Sequence, residues 1–214
     1  MMRLIPLIAA ALSGFLSAPA FAQDWIEYSN QKDFFSITIP GQPTVREITY
    51  QTEYAITLPA RVYTYESGGN RYSVTVVDYT DAERKHADLV KSCKAAGGDG
   101  DSCNDRTNGD VRGAILYATW NLIHKAAKVT HLAYTNADRV EGNELYLTNT
   151  DGSRTFASIY MHENRLYIVE GTVPVNSPPP MLFQQSMGFL DKEGKRIRYN
   201  ATYSNGFPAP SRAR

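Results

Sequence analysis

The sequence predicts an α+β domain, with a central antiparallel sheet and helices packed on its faces. Three observations carry that expectation. β-branched and Tyr-rich segments with a period of two cluster at both ends of the chain. Two segments with helical signals sit between those clusters and a third follows them. Strands therefore gather rather than alternate strictly with helices, which is the order of an antiparallel sheet with helices laid on it.

Before the domain comes an export signal. Arg3 supplies a positive start, Leu4 to Leu16 an apolar run broken by Pro6 and Gly14, and Ala20-Phe21-Ala22 a small-x-small cleavage pattern. The run is too short for a membrane span, which needs about 20 apolar residues. Cleavage after Ala22 is expected to leave a mature chain starting at Gln23, periplasmic or secreted, with no transmembrane segment. No Cys follows the small residues, which argues against a lipid anchor.

Removing those 22 of 214 residues leaves a length that suits one domain, read as 23–191. The mature chain's 21 basic residues (22 less Arg3) against 22 acidic ones argue against a general nucleic-acid binder. The hydrophobic fraction of 43% is enough for a buried core, and the 14 tyrosines suit half-buried strand faces.

Phe35, Ile37 and Ile39 alternate with Ser36 and Thr38, and Pro40-Gly41 ends that strand. A second strand is expected over 45–50. A hairpin follows, from Arg61 to Glu66 and from Arg71 to Tyr79 around Ser67-Gly68-Gly69-Asn70. Thr80 and Glu83 have capping-box spacing and open a helix, with Leu89, Val90 and Cys93 on its apolar side and Gly97-Gly98 at its end. Residues 97–110 read as a polar loop. Asp110 is placed as the cap of a second helix over 111–127, whose inner face is Ile115, Thr119, Leu122, Ile123 and Ala126. Trp120, one position off that face, is expected in the core. Strands return at 129–135 and 144–148, then as a hairpin, 154–162 and 166–174, around Glu163-Asn164-Arg165. Ser177-Pro178 reads as the start of a last helix running to Asp191. Residues 192–214 carry Lys192, Lys195, Arg196, Arg198, Arg212 and Arg214 against Glu193 and are expected to be a poorly ordered basic tail.

Some of these segments resemble PsbP-like proteins. Phe35-Ser36-Ile37-Thr38-Ile39-Pro40-Gly41-Gln42-Pro43 is similar to that family's opening strand. Leu166-Tyr167-Ile168-Val169-Glu170 and Phe183-Gln184-Gln185-Ser186-Met187-Gly188-Phe189 are similar to its closing hairpin and helix. The resemblance spans most of 34–191 through packing signatures. It implies an α/β/α sandwich and a docking role, and it carries over no catalytic residue.

Candidate chemistry is sparse. Cys93 and Cys103, exported as a pair at short spacing, are expected to form one disulfide; the loop they close departs from the family pattern. Asp99, Asp101 and Asp105 supply three carboxylates for calcium, but the 12-residue EF-hand spacing is absent. The alternative is a solvated, turn-rich loop. His86, His124, His131 and His162 show no zinc-helix spacing and read as exposed or half-buried. No nucleophile elbow and no phosphate loop occurs. Asp78, Asp81 and Glu83 admit a paired-carboxylate reading, but Asp81 and Glu83 are better explained as charges at a helix N-terminus. The expected function is an exported, non-catalytic binding or accessory protein docking to an envelope protein. The alternatives are a small-ligand or calcium-binding periplasmic protein, and a hydrolase with an unrecognised site.

Overall fold

The computed structural model describes residues 25–213. The signal segment and the cleavage positions Ala20, Ala22 and Gln23 lie outside the described residues. Among the described residues no helix is long and apolar enough to cross a membrane.

The chain runs β1 (Ile26–Asn30), β2 (Phe35–Ile39), β3 (Thr44–Gln51), β4 (Thr57–Ser67), β5 (Asn70–Asp78), α1 (Ala82–Ala95), α2 (Thr107–Lys125), β6 (Lys128–Ala137), β7 (Val140–Thr148), β8 (Arg154–His162), β9 (Arg165–Val173), α3 (Met181–Gln184) and β10 (Gly188–Phe189). β3 to β9 form one seven-stranded antiparallel sheet in the order β3-β4-β5-β9-β8-β7-β6. β1, β2 and β10 form a second, three-stranded sheet.

Period-two alternation divides the apolar residues of the large sheet between its faces. Val74, Val76, Tyr160, Tyr167 and Val169 point one way, into a cluster with Phe35, Ile37 and Ile39 of β2, Phe183 of α3 and Phe189 of β10. Leu58, Ala60, Leu145, Ala157, Ile159, Leu166 and Ile168 point the other way, against Ala114 and Ala118 of α2 and Ala82 of α1. The class is α+β, as expected, but the layering differs. Both long helices pack on one face, and the opposite face is covered by the small sheet and one turn of helix.

The turns between strands are sharp. Asp138 and Arg139 both have positive φ (49° and 69°), as do Glu163 and Asn164 (45° and 58°). Two such residues in a row are the backbone of the two-residue hairpin turn that matches strand twist. The β6–β7 hairpin is consequently tighter, and both of its strands longer, than the sequence predicts.

Four expectations are corrected. The helix expected over 177–191 shrinks to Met181–Gln184, because Ser177, Pro178 and Pro179 each precede a proline, whose ring pushes them out of the helical region. The chain then extends so that Gly188 and Phe189 pair with Ser36 and Phe35. β1, a strand the sequence reading does not include, pairs along the whole of β2. α2 starts at Thr107, so Asp110 lies inside its first turn and is buried rather than capping it. The basic segment after Asp191 is packed: Ile197, Tyr199 and Tyr203 are buried in the core cluster on the small-sheet side. Leu190 bridges Arg196, and Tyr199 bridges Arg212. Its basic side chains are used as well, with Arg196 and Arg198 both pairing with Asp138 in the β6–β7 turn.

Candidate functional site

α2 turns its small residues inward and its largest ones outward. Ala114 and Ala118 are buried against the sheet. Leu116 and Trp120, one helical turn apart, are 70% and 59% exposed. The burial expected for Trp120 is therefore overturned: short alanines set the helix close to the sheet, and position 120 faces away from it.

The loop between β3 and β4, Thr52 to Ile56, leans on the outer flank of α2. Its fold is closed by the Thr52 N–H donating to the Ile56 carbonyl (3.0 Å), with Ala55 at positive φ. Two glycines of α2 admit it. A Cβ on Gly109 would stand 3.3 Å from the Tyr54 ring, and one on Gly113 3.2 Å from a Glu53 carboxylate oxygen. The result is a groove of about 300 Å³ lined by Glu53, Leu116, Tyr117 and Trp120. His124 extends it, its ring centroid 3.7 Å from that of Trp120 and its Nδ1 bonded to the Trp120 carbonyl at 2.9 Å.

Beneath the groove a buried polar cluster fixes these parts together. Asp110 Oδ2 accepts from the Thr52 hydroxyl (2.5 Å) and from His86 Nε2 (2.9 Å). One carboxylate thus joins α1, α2 and the β3–β4 loop. Both partners meet the same oxygen, so the Thr52 hydroxyl is given to Asp110 and not to the imidazole. All three side chains are buried, so the cluster ties these elements together out of reach of solvent. The phenol of Tyr50 packs edge-on against Tyr117 beside this cluster, and burial pushes its pKa well above the usual tyrosine range. Tyr79 is raised in the same way, and its hydroxyl has no hydrogen-bond partner among the described residues.

Cys93 and Cys103 form the expected disulfide. Gly98 makes room for it, since a Cβ there would stand 2.4 Å from Cys103 Sγ. Of the three aspartates proposed for calcium, two turn their carboxylates onto their own loop. Asp99 Oδ1 accepts from the N–H and hydroxyl of Ser102 (3.2 and 3.0 Å), and Asp105 Oδ1 from those of Thr107 (2.8 and 2.6 Å). These bonds lower both carboxyl pKa values. The Asp101 carbonyl accepts from Asn104. Among the described residues no three His, Cys, Asp or Glu side chains converge as a metal site. Asp78 accepts from Thr80, and Asp81 pairs with Arg84, so the expected capping box does not form.

Two of the four histidines are buried, against the sequence expectation. His86 sits in the cluster above. His162 Nε2 bonds the Tyr199 hydroxyl at 2.7 Å, under Phe189 and Tyr203. His131 is partly exposed, paired with Glu144 and stacked on Tyr146. A further buried pair was not legible in the sequence. Asp33, in the β1–β2 turn, takes two guanidinium bonds from Arg61 and one from the Tyr63 hydroxyl. Sequence spacing gives no signal for contacts between residues so far apart in the chain.

No family model matches the chain, and no curated protein matches it. Among solved structures it is similar to the solution structure of cyanobacterial PsbP (CyanoP) from Synechocystis sp. PCC 6803, at 11% identity. That match covers 73% of this chain and 84% of the other, with a TM-score of 0.37. An overlap this loose carries no functional residue from one chain to the other.

Proposed function

We propose that the chain is an exported, non-catalytic binding or accessory protein that docks to a protein of the bacterial-type envelope through the groove on α2. One observation carries this reading: Trp120 and Leu116 stand exposed beside Tyr117 and Glu53 around a preformed groove. Trp and Tyr are the side chains that most often anchor protein contacts, and contiguous exposed apolar surface marks such sites. The bonds from Asp110 to His86 and Thr52 support the same reading, because they hold the groove's walls in place before any partner arrives. The signal pattern from Arg3 to Ala22 supports export.

The test is in-cell cross-linking of a C-terminally tagged, exported copy, with mass spectrometry of what is captured, run beside Trp120→Glu. The expected result is one reproducible envelope protein with the wild-type chain and at least a tenfold loss of it with the variant, whose melting temperature is unchanged because Trp120 is exposed. Equal capture by both chains, or no protein above background, overturns the reading.

A further inference from the structure

The two edges of the seven-stranded sheet are built differently. β3 is blunted by charge: Arg46 and Glu47 lie along it, and Glu47 pairs with Lys32. β6 carries no such protection beyond its first residues. After Lys128 and an irregularity between Val129 and His131, the strand continues in regular register to Ala137. From Val129 to Ala137 it contains no Asp, Glu, Lys or Arg. Its inner edge is paired with β7, and the sheet ends at its outer edge. Leu132 and Tyr134, on the helix-side face of that edge, are 53% and 63% exposed. Natural sheets keep edges short, charged or covered, because an unprotected one templates pairing with another chain.

We infer that the outer edge of β6 is the interface between two copies of this chain, joined antiparallel about a two-fold axis so that their large sheets run on into each other. A second copy is the occupant that these residues fit. An uncharged strand laid antiparallel on itself sets no like charges opposite each other, and a two-fold contact requires a patch that complements itself. The groove beside Tyr134 supplies that complement. It is lined by both Arg112 and Glu141, and neither makes an ion pair among the described residues. Across a two-fold axis each can meet the other's counterpart. The apolar area fits too. Val129, Leu132, Tyr134 and the nearby Leu116 are 37%, 53%, 63% and 70% exposed, and together with the strand's own backbone they form a contiguous face toward the ~800 Å² per partner of a standard interface. The charged β3 edge leaves the assembly closed at two copies. The interface takes the β6 flank of α2 and the Trp120 groove opens toward the β3–β4 loop, with Leu116 on the ridge that borders both.

Sedimentation or light scattering of the mature chain at micromolar concentration tests this. The expected mass is that of two chains, falling to one in Leu132→Lys and in Tyr134→Lys, with circular dichroism unchanged, since both side chains are exposed. Val45→Lys on the β3 edge is expected to remain at two. A wild-type mass of one chain across that range, or a two-chain mass in both lysine variants, overturns the inference. The docking reading fails separately, through capture that Trp120→Glu does not change.

Discussion

At the scale of single residues, buried polar groups decide more than the motifs do. His162 is enclosed by Phe189, Tyr199 and Tyr203, with Arg165 and Arg212 as the nearest cations. Burial first, then those two guanidiniums, hold its imidazole down to a pKa of about 3 against an ordinary 6.5. The folded state therefore takes up its proton later than the unfolded chain as pH falls. Stability from this residue is complete above about pH 6.5 and is lost as pH drops toward 3, at roughly 1.4 kcal/mol per pH unit inside that window. His162→Gln, which can keep a bond to Tyr199, should flatten the fall. Chemical denaturation of both chains at pH 7, 5.5 and 4 checks this, and parallel slopes would sink it. Asp33 and Arg61 follow the same rule: removing Arg61 leaves the buried Asp33 carboxylate without its counter-charge, and stranding a buried charge typically costs about 3–5 kcal/mol.

At the scale of elements, α1 is the least anchored part of the helix layer. It buries only Ala82 and His86. Its far end is tied down by the Cys93–Cys103 bridge, which closes a loop with a sequence separation of 10. A closure of that length stabilises by about 2–3 kcal/mol, mainly by restricting the unfolded chain. Replacing both cysteines by serine should lower stability by that amount and leave the far-UV spectrum unchanged, because the sheet and α2 do not depend on the loop. Free thiols that react in the native exported protein would show that the bridge is absent there. Asp99 and Asp105 contribute to the turns of this segment through Ser102 and Thr107.

At the scale of the whole molecule, the C-terminal segment is part of the fold. Ile197, Tyr199 and Tyr203 complete the cluster that the small sheet starts, and Tyr203 joins the β7 strand at Val140. A chain ending at Asp191 would lose all three and uncover His162 and Phe189. At about 1.5–3 kcal/mol for each buried large side chain, the loss approaches the ~5–15 kcal/mol that a domain holds in total. Thermal melting of the truncated chain should show a strongly lowered or missing transition. An unchanged transition would restore the reading of this segment as a loose tail.

The sequence by itself determined the class of the fold, most of the strands and the disulfide, because these are written in local signals. Alternation along Phe35–Ile39 and Tyr72–Val77, the Gly-rich turn at 67–70 and a close pair of cysteines all act over short spans. Helix endings set by proline and glycine were partly legible in the same way. Gly97 closes α1 as expected, while three prolines in a row cut the last helix shorter than its apolar spacing implied. Only the tertiary structure decided which face each helix covers, that Trp120 looks outward, and that a segment rich in Arg and Lys is packed. It also brought Asp110 to His86 and Thr52, and Asp33 to Arg61. The physical reason is common to all of these: burial and pairing depend on what lies across the sheet, often more than 20 residues away along the chain, and periodicity carries no record of that neighbour.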